Sequence, residues 1–131
     1  MNFMRLSWGM GAAVWFAVIV LVCIALGPAA VIVALVFGLG PDLSLVGAFA
    51  ERGRLKPSRV RLYNTVHTMT VPIALLVIGV ATFFITGGVD GGFVYVALAG
   101  AAWFVHIAAD RAFGFGFRDA DGTIIPVGFV V

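Results

Sequence analysis

Residues 6–26, LSWGMGAAVWFAVIVLVCIAL, run from Leu6 to Leu26 without a charged side chain. A helix that crosses the hydrocarbon core of a bilayer needs about 20 consecutive apolar residues, and this stretch supplies them. Working outward, three more apolar runs follow: Ala29 to Ala50, Val60 to Thr86 and Phe93 to Ala112. The 131-residue chain is 63% hydrophobic and 11% charged, with a mean hydropathy of +1.16. A soluble domain is closer to half apolar. The runs are continuous rather than alternating with a period of two, which excludes a β-barrel, and they leave too few residues for a soluble domain. The expected fold is an all-α membrane protein: one integral membrane domain over residues 1–131, built as an up-down four-transmembrane-helix bundle. The helices are expected at 6–26, 29–50, 60–86 and 93–112, with 113–131 as a cytoplasmic or interfacial tail.

Charge sets the expected orientation. The formal net charge is only +2, but the segment Glu51 to Arg61 carries five of the eight basic residues. The positive-inside rule assigns this loop to the cytoplasm. The loop Gly87 to Gly92 has one acid and no base, so it belongs outside, and both termini, with Arg5 and Arg118, fall inside. A multi-pass protein of the cell membrane is implied. The basic loop is read as a topology signal rather than as a site for nucleic acid or anionic lipid. The first run exceeds the apolar core of a cleaved signal peptide and is followed at once by another, so it reads as a retained helix. Cys23 is the only cysteine, which leaves no intrachain disulfide.

Helices one and two are separated by little more than Gly27-Pro28, a hairpin connection, and the Gly-rich loop joins helices three and four as a second hairpin. No internal repeat relates the two. Pro41 cannot donate to the carbonyl of Phe37 and follows Gly40, so the second helix is expected to kink at 40–41. Pro72 is expected to kink the third helix and free the carbonyl of Thr68, next to His67. Asp121-Gly122 signals a turn in the tail. Asp119 and Asp121 lack the distal ligands of a calcium loop and read as solvated.

The chain's two histidines, His67 and His106, lie inside apolar runs, and ionisable groups in such places are functional suspects by default. Helical spacing puts His106 and Asp110 on one face and Asn64 and His67 on another. Asp42 lies late in the second helix, His67 early in the third, and His106 and Asp110 late in the fourth, so the alternation of directions brings them to one depth near the cytoplasmic side. Ala99 and Ala102 give the face of His106 close access to a neighbour. Imidazole and carboxylate together suit a divalent transition metal, zinc or manganese, with Asp42, Asn64, His67, His106 and Asp110 as candidate ligands. A carboxylate left unligated, Asp42, could act as general base. Tyr63, one turn before His67, could donate to an oxyanion, and Arg111 could hold a phosphate or carboxylate head group.

The runs Pro41-Asp42-Leu43-Ser44-Leu45-Val46-Gly47, Tyr63-Asn64-Thr65-Val66-His67 with Pro72, and Trp103-Phe104-Val105-His106 through Asp110-Arg111 to Gly116 resemble a family of small bacterial integral membrane proteins, domain of unknown function 4260. The likeness extends from the first helix to about Phe117, and Asp42, Asn64, His67, His106 and Asp110 match its polar positions. The chain departs from the pattern in a longer, more basic loop after Ala50 and in a tail without the histidine expected near Asp121. A looser likeness is to membrane-bound metal-dependent hydrolases.

Three functional expectations follow. The first is a membrane-embedded, metal-dependent hydrolase acting on a lipid-like or otherwise membrane-accessible substrate, with the bilayer and no nucleic acid as its partner. The second is a proton or ion relay, or a small transporter, which needs a homo-oligomer for its path. The third is a non-catalytic protein whose polar cluster fixes helix packing.

Overall fold

The structure is a computed structural model that describes residues 3–128. It contains helices α1 (Phe3–Leu26), α2 (Pro28–Leu39), α3 (Pro57–Val66), α4 (Thr70–Ile85) and α5 (Tyr95–Phe113), and a hairpin of β1 (Phe49–Glu51) and β2 (Arg54–Leu55). Helix α2 continues to Leu45 and α3 joins α4, so four helical segments are long and apolar enough to cross a membrane: Phe3–Leu26, Pro28–Leu45, Pro57–Ile85 and Tyr95–Phe113. The chain is an all-α membrane protein of four candidate spans.

Helix α5 is the central one, packing against α1, α2 and α4. Its run of small residues explains the position. Ala99, Gly100, Ala101 and Ala102 are all buried, and between helices in lipid, where burial of apolar surface adds no driving force, small residues let backbones approach and dispersion contacts accumulate. A Cβ on Gly100 would run into the α4 backbone at Pro72, Leu75 and Leu76, and one on Gly79 of α4 would strike Val96 and Ala97. These two glycines are therefore obligatory at the α4–α5 contact.

The turn between α1 and α2 follows from its two residues. Gly27 adopts φ 76°, which costs a glycine little, and Pro28 occupies the first helical position, where no N–H is needed. At its far end α2 changes form. Pro41 offers no N–H to continue the ladder, and Gly40–Leu45 winds as a 3₁₀ segment, the tighter helix common at such ends.

Two expected boundaries are corrected, and the expected interruption of the third span is located. The second span ends at Leu45 rather than at residue 50, because Gly47 turns with φ 66° and Phe49–Glu51 pairs with Arg54–Leu55 instead. The third span begins at Pro57, again a proline in the first turn. Its interruption lies upstream of Pro72, at His67–Met69. Pro72 sits in the first turn of α4, where helix amides have no internal partner and a missing N–H is harmless. His67 consequently stands at the C-terminal end of α3, with a non-helical ψ of 12°.

The segment after α5 folds back. Gly114 is left-handed (φ 99°), and the amides of Gly114 and Phe115 donate to the carbonyls of Arg111 (3.1 Å) and Asp110 (2.8 Å), the paired bonds of a Schellman turn. Arg5 Nε adds a hydrogen bond to the carbonyl of Ala112, 2.8 Å. Beyond the turn the chain runs beside α3 and the hairpin, where the Leu55 amide donates to the Gly122 carbonyl, 3.0 Å, and Arg118 Nη1 donates to the carbonyl of Gly53, 2.7 Å. Leu55 is fully buried with Ala48, Val60 and Tyr63, a satellite core in which one leucine contributes about 1.5–3 kcal/mol. Asp119 and Asp121 are exposed, but they organise the turn: Asp121 Oδ1 accepts from the Thr123 amide (2.9 Å) and hydroxyl (2.7 Å). Positions 129–131 of the expected tail lie outside the described residues.

Candidate metal centre

Three elements converge on one point. The 3₁₀ segment carries Asp42 in its first turn, the end of α3 presents His67, and the last two turns of α5 present His106 and Asp110 one above the other. One ligand atom from each of these four residues can be chosen so that all lie within 4.8 Å of one another. The side chains therefore form a group that could hold a metal ion.

The individual separations are narrow in range. His67 Nε2 faces His106 Nε2 at 3.4 Å. Asp110 Oδ2 is 3.5 Å from His67 Nε2 and 3.6 Å from His106 Nε2, and Asp42 Oδ1 is 3.6 Å from His106 Nε2. Two nitrogens and two oxygens bound tetrahedrally at about 2.0–2.1 Å would have edges of about 3.3 Å. The donor types fit, and these four separations match such edges; the other two pairs, Asp42 with His67 and with Asp110, lie within 4.8 Å.

Orientation of His67 is fixed from outside the group. Its Nδ1 lies 2.9 Å from the carbonyl of Tyr63, and a carbonyl only accepts, so the proton is on Nδ1 and Nε2 offers its lone pair to the centre. Metal-binding histidines are commonly held this way by a second partner. The Tyr63 ring stacks on the imidazole with centroids 3.9 Å apart and planes 19° apart. The break after α3 makes this possible, because it releases His67 from the helical ladder above while its own amide still donates to Tyr63, 3.0 Å.

Burial is graded across the group. The side chains of His67 and His106 are 4% and 7% exposed, Asp110 is 24% exposed and Asp42 is 52% exposed. The centre is closed on the imidazole side and open at Asp42. A cavity of about 230 Å³ lies between α1, α2 and α5, walled by apolar side chains such as Phe16, Leu35 and Val105, and His106 is its one titratable residue.

The remaining candidates go elsewhere. Asn64 is a correction: its amide nitrogen donates to the Arg118 carbonyl (2.9 Å) and its oxygen accepts from the Arg118 amide (2.8 Å). With both ends engaged it is an anchor for the returning chain, not a ligand. The Tyr63 hydroxyl points at the carbonyl of Gly116, 3.4 Å, and its contribution to the centre is the carbonyl and the ring. Arg111 follows Asp110 on α5, so the two side chains leave the helix about 100° apart. Its guanidinium lies over the rings of Trp8 and Phe117, at 4.5 and 5.4 Å from their centroids. Arg118, read from the sequence as a topology marker, is buried and bound to the loop; no local signal distinguished it from an exposed arginine.

The family model described as Domain of unknown function (DUF4260) matches residues 9–124. The chain belongs to this family. The DUF4260 match includes all four residues of the centre and runs past Phe117, through the Asp119–Thr123 turn that packs on the hairpin. No curated protein and no solved structure matches the chain.

Proposed function

We propose that this DUF4260 protein is a membrane-embedded, metal-dependent hydrolase of the cell membrane whose substrate is lipid-like. The observation that carries the reading is the set of four N and O donors at 3.4 to 3.6 Å spacing across the pairs given above. His67, His106 and Asp110 would hold the ion, and zinc is favoured over manganese because the three separations among them, 3.4 to 3.6 Å, match the edges of a tetrahedral site. When bound, such an ion supplies Lewis-acid polarisation of a carbonyl or phosphoryl group. Asp42, on the open side, is the group placed to take and return a proton. It serves as fourth ligand or as general base.

The substrate class follows from access. A groove with apolar walls that reaches His106 suits a hydrocarbon chain, and a polar head at its end would lie against the centre. The five basic residues between Glu51 and Arg61 support a cytoplasmic location for this end of the helices and for both termini. All four donors come from one chain, so the hydrolase reading needs no second copy.

The facing imidazole nitrogens favour one other reading, a proton relay in which His67 and His106 exchange a proton between two carboxylates. It would operate without metal. The deciding experiment is metal content by mass spectrometry on protein purified in mild detergent without chelators. Near-stoichiometric metal that is lost in both His67→Ala and His106→Ala, with Asp42→Asn retaining metal but losing ester or phosphoester hydrolysis, is the expected result. Folded, metal-free protein that conducts protons would transfer the site to the relay.

A further inference from the structure

The second polar feature of the interior is Arg111. It is 5% exposed, and neither Nη1 nor Nη2 has a hydrogen-bond partner among the described residues. A guanidinium does not deprotonate in proteins, so a full positive charge with two unsatisfied nitrogens is held in the interior. Contact with Trp8 and Phe117 offsets part of this, but a buried ion without a paired charge remains unfavourable. The neighbouring carboxylate, Asp110, is turned toward His67 and His106.

A cavity of about 260 Å³ lies beside it, bordered by Arg111, Gly116, Phe117, Ile125, Pro126 and Val127. Apart from the arginine, the described residues around it contribute backbone and hydrocarbon. We propose that this pocket receives the carboxylate or phosphate head of an anionic lipid, with the guanidinium paired to two of its oxygens and the first part of the chain against Phe117, Ile125 and Val127. Arginine's planar fork matches two oxygens of either head group. Free inorganic phosphate fits less well, because the apolar walls leave its other oxygens without donors. Arg111 lies in the last turn of α5, at the end of a candidate span, where head groups are found. The pocket is distinct from the metal centre and does not depend on that reading; the Tyr63–Gly116 hydrogen bond stands between them.

The test uses the full chain in nanodiscs of phosphatidylcholine containing a minor fraction of phosphatidic acid, extracted into mild detergent and weighed intact by native mass spectrometry. One phosphatidic acid retained per chain, in preference to phosphatidylcholine, is expected. Arg111→Gln should weaken retention by on the order of tenfold or more, as loss of a charge-assisted bidentate pair implies. Val127→Trp keeps the arginine but fills the cavity, and should lose the lipid while the helical circular dichroism is unchanged; it covers the case in which Arg111→Gln does not fold. Equal retention of both lipids by the unmodified chain, or displacement of bound lipid by millimolar inorganic phosphate alone, would overturn the proposal.

Discussion

The Nε2 atoms of His67 and His106 face each other at 3.4 Å, although 39 positions separate the two residues in the chain. With the proton of His67 held on Nδ1 by the Tyr63 carbonyl, one lone pair points at the other imidazole, and two carboxylate oxygens complete the group. Such a group could hold a metal ion or share a proton, and the two cases differ in what removing a cation would do.

If the cation is a metal, chelation must cost stability. Unmodified protein treated with a chelator should melt lower in detergent than untreated protein. A ligand present at a thousand times its dissociation constant contributes about 4 kcal/mol. In His67→Ala and His106→Ala the chelator should leave the melting temperature unmoved. A chelator response that survives in both variants would place the metal elsewhere.

Asn64 should separate from the ligands in its behaviour. Asn64→Ala removes two hydrogen bonds to the Arg118 backbone and leaves those backbone groups unpaired, a loss of about 1–3 kcal/mol. Hydrogen exchange should rise at Arg118 through Ile124, and metal content should stay that of the unmodified chain. Loss of metal with the tail still protected would restore Asn64 to the ligand set.

The α4–α5 contact is predicted to tolerate no side chain at Gly100. Gly100→Val must push α5 from the α4 backbone and should cost at least the 1–3 kcal/mol typical of overpacking, read as a lower melting temperature. Gly11→Ala on α1 meets nothing within 4 Å and should be near neutral or slightly stabilising, since alanine is the better helix former.

Acid should loosen the returning segment at its turn. The hydroxyl and amide of Thr123 hold the Asp121 carboxylate below its ordinary pKa of 3.8, with Arg54 adding to the effect. A carboxyl depressed in the folded state stabilises the fold above its unfolded pKa, and that contribution disappears as pH falls through the folded value. The Thr123 amide should therefore lose protection only below about pH 4. Asp121→Asn should abolish this dependence, and a transition near neutral pH would show that another group controls the turn.

Much of this was legible without coordinates. Four apolar runs, the glycine–proline hairpin and the presence of His and Asp within those runs are local properties, because a bilayer admits only chains whose backbone bonds are satisfied within each helix. Alternating helix directions then brought Asp42, His67, His106 and Asp110 to one end. Proline was a less certain guide. It marked that the second and third spans are interrupted, and the break before α4, at His67–Met69, lies just upstream of Pro72 in the first turn of that helix.

The amino-acid sequence by itself determined that this chain enters a membrane and which ionisable groups go with it, since transfer from water to hydrocarbon depends on composition over about 20 residues and little else. Only the tertiary structure decided what those groups face. Asn64 and His67 share a helix turn, yet one is bound by Arg118 and the other by the centre. Asp110 and Arg111 are neighbours, yet one joins two imidazoles and the other lines a separate pocket. Which partner a side chain meets depends on contacts from distant segments, the central seat of α5 and the return of the chain over α3, and no local pattern encodes those.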